Sequence, residues 1–180
     1  MSGSGEPRLA LTTEADWDDD TRALMEGSGG LNIFRALANH PKLLKRWLVF
    51  GSHVLAKSSL SERDRELAIL RTGWRCGSAY EFGQHTVIGV RAGITDDEVR
   101  RLTVEALDGW SPPERALLAA VDQLVADHDL DDATWSALAE GRTTEQVMDL
   151  VFAVGQYVLV STALRTFRVP IDDGMPGFPS

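Results

Sequence analysis

A short stretch in the middle of the chain, RCGSAYEFGQH from Arg75 to His85, gathers side chains that could do chemistry. It holds the only cysteine, Cys76, and it places a carboxylate and an imidazole, Glu81 and His85, four residues apart. Residues four apart lie on one face of a helix, so Glu81 could orient the His85 ring or exchange a proton with it. The stretch has three interpretations: a redox site at Cys76, an acid–base site at Glu81 and His85, or a well-capped helix start at Ser78.

A third carboxylate, Glu66, stands directly before the apolar run LAIL, one predicted helix earlier. At the border of an apolar segment it is either desolvated, with a raised pKa and a proton to carry, or paired with an arginine such as Arg63 or Arg71. The connection WRCGSA is short, so the two helices are predicted to be antiparallel neighbours. That arrangement would bring Glu66 close to Glu81 and His85.

Each of these residues also has a structural interpretation. Ser78 and Glu81 are three apart, so Glu81 could simply complete a capping box and stabilise the helix N-terminus. His85 could be a partly buried histidine bonded to Glu81. A lone Cys76 is usually a packing residue, since thiol chemistry needs a lowered pKa and a resolving partner is missing. The other histidines show no ligand spacing to this group, so neither a metal nor another cofactor is expected.

The substrate-binding candidates are polar, cationic or aromatic side chains near this group or on the preceding helix: Tyr80, Ser78, Arg71, Arg75, His53 and Trp74. An arginine would hold a substrate carboxylate, and the aromatic rings would line an apolar pocket. Gln156 and Tyr157 interrupt an otherwise apolar segment near the C-terminus. Buried polar groups need partners, so this pair is predicted either to bond internally or to face the same pocket.

The elements that must position these residues are predicted to be helical throughout, because the chain has no convincing alternating run and no hairpin signal. Hydroxyl residues three positions before a carboxylate or amide mark helix starts at Ser61, Thr95, Ser111 and Thr143. The predicted helices cover, approximately, residues 14–26, 31–38, 41–57, 61–75, 78–91, 96–107, 112–127, 133–139 and 145–167.

A chain of 180 residues fits one domain. Residues 1–30 are interpreted as a leader, with a flexible SGSG, and a first helix; residues 31–170 as the helical domain; and residues 171–180 as an extended tail rich in Pro and Gly. The apolar run at 150–164 is shorter than the ~20 residues that span a bilayer. It is predicted to be a helix buried on nearly all sides, most easily at a subunit interface.

The formal charge of −9 and the absence of a Lys/Arg-rich run argue against nucleic acids and anionic membrane surfaces as partners. A small anionic substrate remains compatible, because a pocket can carry its own arginines. One cysteine forms no internal disulfide, and the N-terminus lacks the apolar segment of a signal peptide. A cytoplasmic location is therefore expected.

The segment RELAILRTGWRCGSAYEFGQHTVIGVRAGITDDEV resembles the core of the carboxymuconolactone decarboxylase family, within the superfamily that includes the alkyl hydroperoxidase AhpD. The redox branch of that superfamily has two cysteines between a Glu and a His. Counted from Glu66, the cysteine positions fall on Ser78 and Glu81, and the His position falls on His85. Cys76 lies outside this register, and AYEFGQH instead resembles the YEW..H variant of the decarboxylase-like branch. The resemblance implies an all-helical fold that assembles into trimers or hexamers.

Three functions are compatible with these observations. The favoured hypothesis is a cofactor-free lyase, decarboxylase or isomerase that acts on a small organic acid, lactone or related carbonyl compound. His85 would be the acid and base, Glu81 its orienter and Glu66 a second proton carrier. The second hypothesis is a peroxide- or thiol-linked reductase that uses Cys76 alone. The third is a non-enzymatic helical oligomer that binds a small ligand, in which the pocket would lack convergent titratable groups.

Overall fold

The structure, a computed structural model, describes residues 6–179, and the SGSG leader lies outside them. Within the described residues the chain is all helical, as predicted, and forms a single domain without a β-strand. A short 3-10 helix, Glu14–Asp16, precedes the α-helices. In chain order these are α1 Asp19–Met25, α2 Asn32–Leu37, α3 Pro41–Ala56, α4 Glu62–Arg75, α5 Ala79–Arg91, α6 Asp96–Arg101, α7 Pro112–Ala126, α8 Asp132–Ala139 and α9 Thr144–Phe167.

Capping interactions begin several helices where the sequence predicted them. Reciprocal capping boxes form at the starts of α6, α7 and α9, whose N-cap residues are Thr95, Ser111 and Thr143. At α4 the hydroxyl of Ser61 accepts the backbone N–H of Asp64 at 3.0 Å, so only the hydroxyl half of the motif forms. These side chains satisfy N–H groups that the first turn of a helix leaves free.

The predicted capping box at Ser78 and Glu81 is wrong. The backbone N–H of Ser78 donates to the carbonyl of Gly73, and that of Gly77 donates to the carbonyl of Trp74, both at 2.8 Å. With Gly77 in the left-handed region at φ +63°, these bonds form the Schellman motif that ends α4. Because the Ser78 N–H already donates to a carbonyl of α4, it is not available as a donor to the Glu81 carboxylate.

The predicted first helix, 14–26, is divided in two. Asp18 has extended backbone and begins α1 by accepting the N–H of Thr21 at 2.8 Å, which separates α1 from the 3-10 turn before it. Met25 of α1 is buried in one cluster with Leu44 of α3. The first α-helix is therefore packed onto the same molecule as the helices that follow it.

The predicted helix 96–107 is shorter than expected, because α6 ends at Arg101. The carbonyls of Leu102 and Val104, just beyond its end, accept hydrogen bonds from the buried guanidinium of Arg71. This segment is thus tied to α4 by a side chain rather than continued as a helix.

Helix α4 is central and packs against α5, α7 and α9. Helices α4 and α5 are antiparallel neighbours, as the short connection predicted. They approach closely at Gly73, where a Cβ would come within 3.3 Å of the backbone nitrogen of Phe82. This close approach brings the inner faces of α4 and α5 together. The main core around them includes Leu67, Leu70, Phe82, Leu117, Leu118, Leu138 and Leu150.

Helix α9 is less buried than predicted. One face packs on α3, α4, α5 and α7, but Met148, Phe152 and Leu159 on other faces are more than half exposed. With a mean hydropathy of 1.7 over its most apolar window, α9 is long and apolar enough to cross a membrane, a test that core helices of soluble proteins also pass. The expectation of a helix buried on nearly all sides is therefore wrong for the single chain.

The segment after α9 contains no helix or strand up to residue 179 and folds back over α5. The ring of Phe178 packs on that of Phe82, with centroids 5.1 Å apart. A Cβ on Gly83 would lie 1.8 Å from the carbonyl oxygen of Pro176, so glycine is needed where the tail crosses the helix. The C-terminal tail is therefore part of the packed structure around the candidate site.

Candidate active site

Glu66 of α4 and His85 of α5 face each other across the antiparallel pair. Nδ1 of His85 lies 2.6 Å from Oε2 of Glu66, and both side chains are buried. The other oxygen of Glu66 accepts a hydrogen bond from Nε of Arg65 at 3.0 Å. Glu66 is thus paired with an arginine, one of the two alternatives that the sequence left open, and it also contacts the imidazole. Its arginine is Arg65, rather than Arg63 or Arg71.

Glu81 lies on the other side of the imidazole. Its Oε2 is 3.7 Å from Nε2 of His85, which is longer than a hydrogen bond. Burial raises the pKa of Glu81 from its usual 4.5 to about 7, against a smaller lowering by His85. The Glu81 carboxyl can therefore hold or release a proton near neutral pH, as a general acid or base must.

Tyr157 of α9 completes the surroundings of the imidazole. Its ring stands edge-on to His85 with centroids 4.8 Å apart and an interplanar angle of 89°. Burial raises the pKa of the Tyr157 phenol well above its usual value. The ring thus remains neutral and adds an apolar wall beside the titratable groups.

His85, Glu81 and Tyr157 line a cavity of about 190 Å³ between α2, α3, α5 and α9, whereas Glu66 is not part of the lining. Since liquid water occupies ≈ 30 Å³ per molecule, the volume corresponds to roughly six waters and suits a small ligand. The lining is mostly aliphatic and aromatic, and its polar members are Ser52, Tyr80, Glu81, Gln84, His85, Gln156 and Tyr157. Gln156 and Tyr157 therefore face the pocket, which was one of the two alternatives predicted for them.

Tyr80, a predicted substrate-binding residue, forms part of the cavity wall. Its hydroxyl accepts the backbone N–H of Ile33 at 3.1 Å and donates to the carboxylate of Asp172. The amide of Gln84 donates to the same Asp172 oxygen at 2.8 Å. Burial, reinforced by the bond to Asp172, raises the pKa of the Tyr80 phenol. Tyr80 therefore stays neutral and presents mainly its ring to a ligand.

The two predicted carboxylate-binding arginines do not reach the cavity. Arg71 is fully buried and donates from Nε and Nη2 to Asp122, at 2.7 Å each. Arg75 binds the same carboxylate at 2.7 Å and also pairs with Glu105. Trp74 packs under both guanidinium groups, 4.5 Å and 4.9 Å from its ring centroid. All three side chains contribute to the packing of α4 on α7, and none of them is in the cavity lining. The prediction that they bind the substrate is therefore wrong for this cavity.

Ser78 and His53 also lie outside the cavity lining. The Ser78 hydroxyl is buried without a hydrogen-bond partner among the described residues. His53 is half-exposed and pairs with Asp149, with 3.4 Å between Nε2 and Oδ1. Neither residue is therefore placed to bind a ligand beside His85.

Cys76 is the C-cap residue of α4 and is not part of the cavity lining. Burial raises the pKa of its thiol, which lowers the fraction of reactive thiolate. Its backbone carbonyl accepts a hydrogen bond from Arg165 of α9 at 2.7 Å. Cys76 thus belongs to the junction of α4, α5 and α9, rather than to the site of His85 and Glu81.

Sequence reasoning missed two residues that hold the site. Arg65 directly precedes Glu66, so the sequence shows that the two residues are neighbours. A contact between their side chains was not predicted, because adjacent residues of a helix usually point in different directions. Asp172 lies 88 residues beyond Gln84, and no local pattern links the tail to α5. Among residues 6–179, no group of three or more His, Cys, Asp or Glu side chains is arranged to hold a metal ion.

Residues 41–123 match the sequence profile of the Carboxymuconolactone decarboxylase family. This segment contains Glu66, Glu81 and His85, but it is less than half of the chain. No curated protein sequence matches the chain significantly.

Solved structures share the fold over nearly the whole chain. An uncharacterized peroxidase-related protein from Ralstonia eutropha JMP134, described as an alkylhydroperoxidase AhpD core, is 22% identical with a TM-score of 0.82 over 93% of both chains. An uncharacterized peroxidase-related protein from Silicibacter sp. TM1040 is 15% identical with a TM-score of 0.81 over 96% of both chains. The debrominase Bmp8, in a complex with 2,3,4-tribromopyrrole, is 15% identical with a TM-score of 0.74, over 96% of this chain and 95% of that one. At these identities the similarity shows the fold.

Proposed function

We propose that this chain, which has an AhpD-like fold and a segment that matches the Carboxymuconolactone decarboxylase family profile, is an enzyme that transfers protons by acid–base catalysis on a small carbonyl compound. The observation that carries the proposal is the row formed by Glu66, His85 and Glu81 at the wall of a small apolar cavity. Perturbed titratable groups that converge on a cavity are typical of catalytic sites.

Glu66 is the positioning residue of the row. An ionised Glu66 accepts the proton of Nδ1 of His85, which leaves Nε2 as the ring nitrogen available to a ligand. Arg65 holds the second oxygen of Glu66 and keeps the carboxylate fixed. His85 thus has one nitrogen engaged with the protein scaffold and the other on the side of Glu81.

The proposed step begins with a carbonyl compound in the cavity. Nε2 of His85 removes a proton from the carbon next to the carbonyl, the C–H electron pair moves towards oxygen, and the protonated Glu81 gives its proton to that oxygen. The product is an enol, with His85 protonated and Glu81 ionised, so no net charge is created. Both groups then return to their first state by the reverse transfers.

An isomerase, a lyase and a decarboxylase can all pass through such an enol. An isomerase returns the proton from His85 to a different carbon, and a lyase uses it to protonate a leaving group. In a decarboxylase, carbon dioxide departs in place of the first proton, and the proton that the carbon then receives from His85 is supplied by solvent. The burial of Glu66, His85 and Glu81 favours each of these reactions, because it limits the access of water that would otherwise compete for the protons.

The placement of Cys76 gives less support to the peroxide- or thiol-linked reductase. Its thiol lies outside the cavity lining and its pKa is raised by burial. The non-enzymatic hypothesis expected a pocket without convergent titratable groups, whereas Glu81 and His85 both line this cavity. Acid–base catalysis therefore remains the function that the geometry supports best.

Proton exchange in D₂O tests the proposal without knowledge of the natural substrate. Small cyclic ketones and lactones are incubated with the protein, and exchange of the protons next to the carbonyl is followed by NMR. We expect exchange above the buffer rate for at least one compound, and a loss of roughly a hundredfold or more in His85→Ala and Glu81→Gln. The matched control Cys76→Ser should exchange at the wild-type rate.

Two outcomes would contradict the proposal. One is exchange at the buffer rate for every compound in the panel. The other is wild-type exchange in both His85→Ala and Glu81→Gln, with circular dichroism confirming that the variants are folded. Loss of exchange in Cys76→Ser alone would instead favour the thiol-dependent hypothesis.

A further inference from the structure

The cavity wall contains two acidic or basic side chains, Glu81 and His85, and among the described residues that line it there is no lysine or arginine. The arginines of α4 nearest to Glu66 and to the α4–α5 connection are already paired. Arg65 is bound to Glu66 at 3.0 Å, and Arg71 and Arg75 are bound to Asp122 at 2.7 Å. The described cavity wall therefore offers no fixed positive charge to an anionic ligand.

From this distribution of charge we propose that the cavity takes an uncharged carbonyl compound, such as a ketone or lactone, and not a carboxylate. The choice of a carbonyl rests on the proposed function. The requirement for an uncharged ligand rests on the wall alone. The sequence was compatible with both organic acids and lactones as substrates. The charge of the cavity wall favours lactones and other uncharged compounds.

Electrostatics gives the physical reason. Arg65 and Glu66 neutralise each other, so the charge beside the ligand is set by His85 and Glu81. A carboxylate that leaves water for this apolar cavity loses its hydration and meets a second carboxylate at Glu81. It is tolerated only if His85 is protonated while Glu81 is neutral, which requires the uptake of a proton. An uncharged ligand has no such requirement.

The proposal narrows the reaction. A decarboxylase must bind a substrate carboxylate, and the name of the family whose profile matches residues 41–123 implies such a substrate. Without a cation in the wall, this chain is better suited to isomerisation or elimination on an uncharged compound. Glu81 would then act on a neutral carbonyl oxygen, where its proton is most useful.

Three probes of equal shape and different charge test the proposal: benzamide, benzoate and benzamidine. Binding is measured by calorimetry at about pH 6 and about pH 8, on either side of the Glu81 pKa of about 7. We expect benzamide to bind with nearly the same affinity at both pH values. At pH 8 benzoate should bind at least about tenfold more weakly than benzamide, and its binding should be accompanied by the uptake of a proton. Benzoate affinity should also be lower at pH 8 than at pH 6.

A variant that introduces a cation provides the converse test. Ser52 is exposed and lies at the α3 wall of the cavity, so a longer side chain fits there without disturbing the core. Ser52→Arg should raise the ratio of benzoate affinity to benzamide affinity about tenfold. The matched control Ser52→Gln adds length without charge and should not favour benzoate.

Benzoate binding to the wild type as tightly as benzamide at pH 8 would overturn the proposal. Tighter binding of benzamidine than of benzamide at pH 6, where Glu81 is mostly protonated, would also overturn it, because it would identify a cation site. Absence of binding for all three at millimolar concentration would remove the cavity as the ligand site. These measurements need no turnover, so a protein that prefers benzamide but exchanges no protons would retain this inference and lose the proposed function.

Discussion

At the scale of single residues, the buried carboxyl of Glu81 should make the free energy of unfolding depend on pH, which can be tested without a substrate. Its pKa is about 7 in the folded protein and near 4.5 when exposed, a difference worth on the order of 3 kcal/mol. A raised carboxyl pKa means that ionisation destabilises the fold. This effect is absent below about pH 4.5, grows as the pH rises and is complete above about pH 7. Glu81→Gln should therefore match the wild type near pH 4 and exceed its free energy of unfolding by about 3 kcal/mol near pH 9.

Urea unfolding across this pH range measures the difference. Glu140→Gln is the control, because Glu140 is exposed at the end of α8 and its substitution should give no pH-dependent gain. A Glu81→Gln variant that is equally destabilised at every pH would show that the carboxyl is stabilised by a partner, which would contradict the prediction. If the gain is seen together with lost proton exchange, Glu81 is a residue kept for function at a cost in stability.

The residues of the row were predictable, while their surroundings were not. The spacing of Glu81 and His85 on one helix face, and of Glu66 across a short connection, is set by helix geometry and was correctly predicted to bring them together. The position of Arg71 depends on Asp122, which lies 51 residues away on α7. No local periodicity reports such a pairing, so the arginines could not be removed from the site by sequence alone.

Among the elements, the C-terminal tail acts on the site through Asp172. Its carboxylate accepts from Gln84 at 2.8 Å and from the N–H of Asn32 at 2.8 Å, and it binds the hydroxyl of Tyr80. Asp172→Ala should lower the free energy of unfolding by about 1–3 kcal/mol and weaken benzamide binding, since two wall residues lose their common partner. Chemical unfolding and calorimetry measure the two effects.

Two comparisons separate a local effect from a general one. Asp173→Ala changes the exposed neighbour and should alter neither stability nor binding. In a Tyr80→Phe background, Asp172→Ala should cost less than in the wild type, because one of its partners is already missing. Equal costs in both backgrounds would show that Asp172 does not act through Tyr80.

Local signals explain which elements the sequence identified. The capping boxes at Thr95, Ser111 and Thr143 depend on side chains three residues apart, so they were visible before the structure. The capping box predicted at Ser78 does not form because two motifs need the same donor, the backbone N–H of Ser78. The Schellman bond to Gly73 formed instead of the capping box, and this choice depends on how α4 ends rather than on how α5 begins.

At the scale of the whole molecule, an apolar face on α3 and α9 stands uncovered in the single chain. Val49 is 75% exposed and Phe152 is 56% exposed, and the rings of Phe50 and Phe152 meet with centroids 6.1 Å apart. Leu55, which belongs to the α3 wall of the cavity, is also exposed. Exposed apolar side chains that pack on each other at the surface, as Phe50 and Phe152 do, are typical of an interaction site. We expect a second copy of the chain to cover it, in the trimer or hexamer that the family resemblance implies.

Replacing one central residue of this face tests the assembly. Phe152→Asp places a charge where two apolar surfaces would meet, and burying it without a partner is costly, so the oligomer should dissociate to monomers. Light scattering coupled to size-exclusion chromatography measures the mass. Trp135→Asp is the control, since Trp135 is similarly exposed but lies on α8, away from this face. A monomeric wild type would contradict the expected assembly. An oligomer that survives Phe152→Asp and dissociates in Trp135→Asp would place the interface at α8 instead. If monomers form and benzamide affinity falls with them, the neighbouring copy helps to close the cavity, whose wall includes the exposed Leu55 of α3.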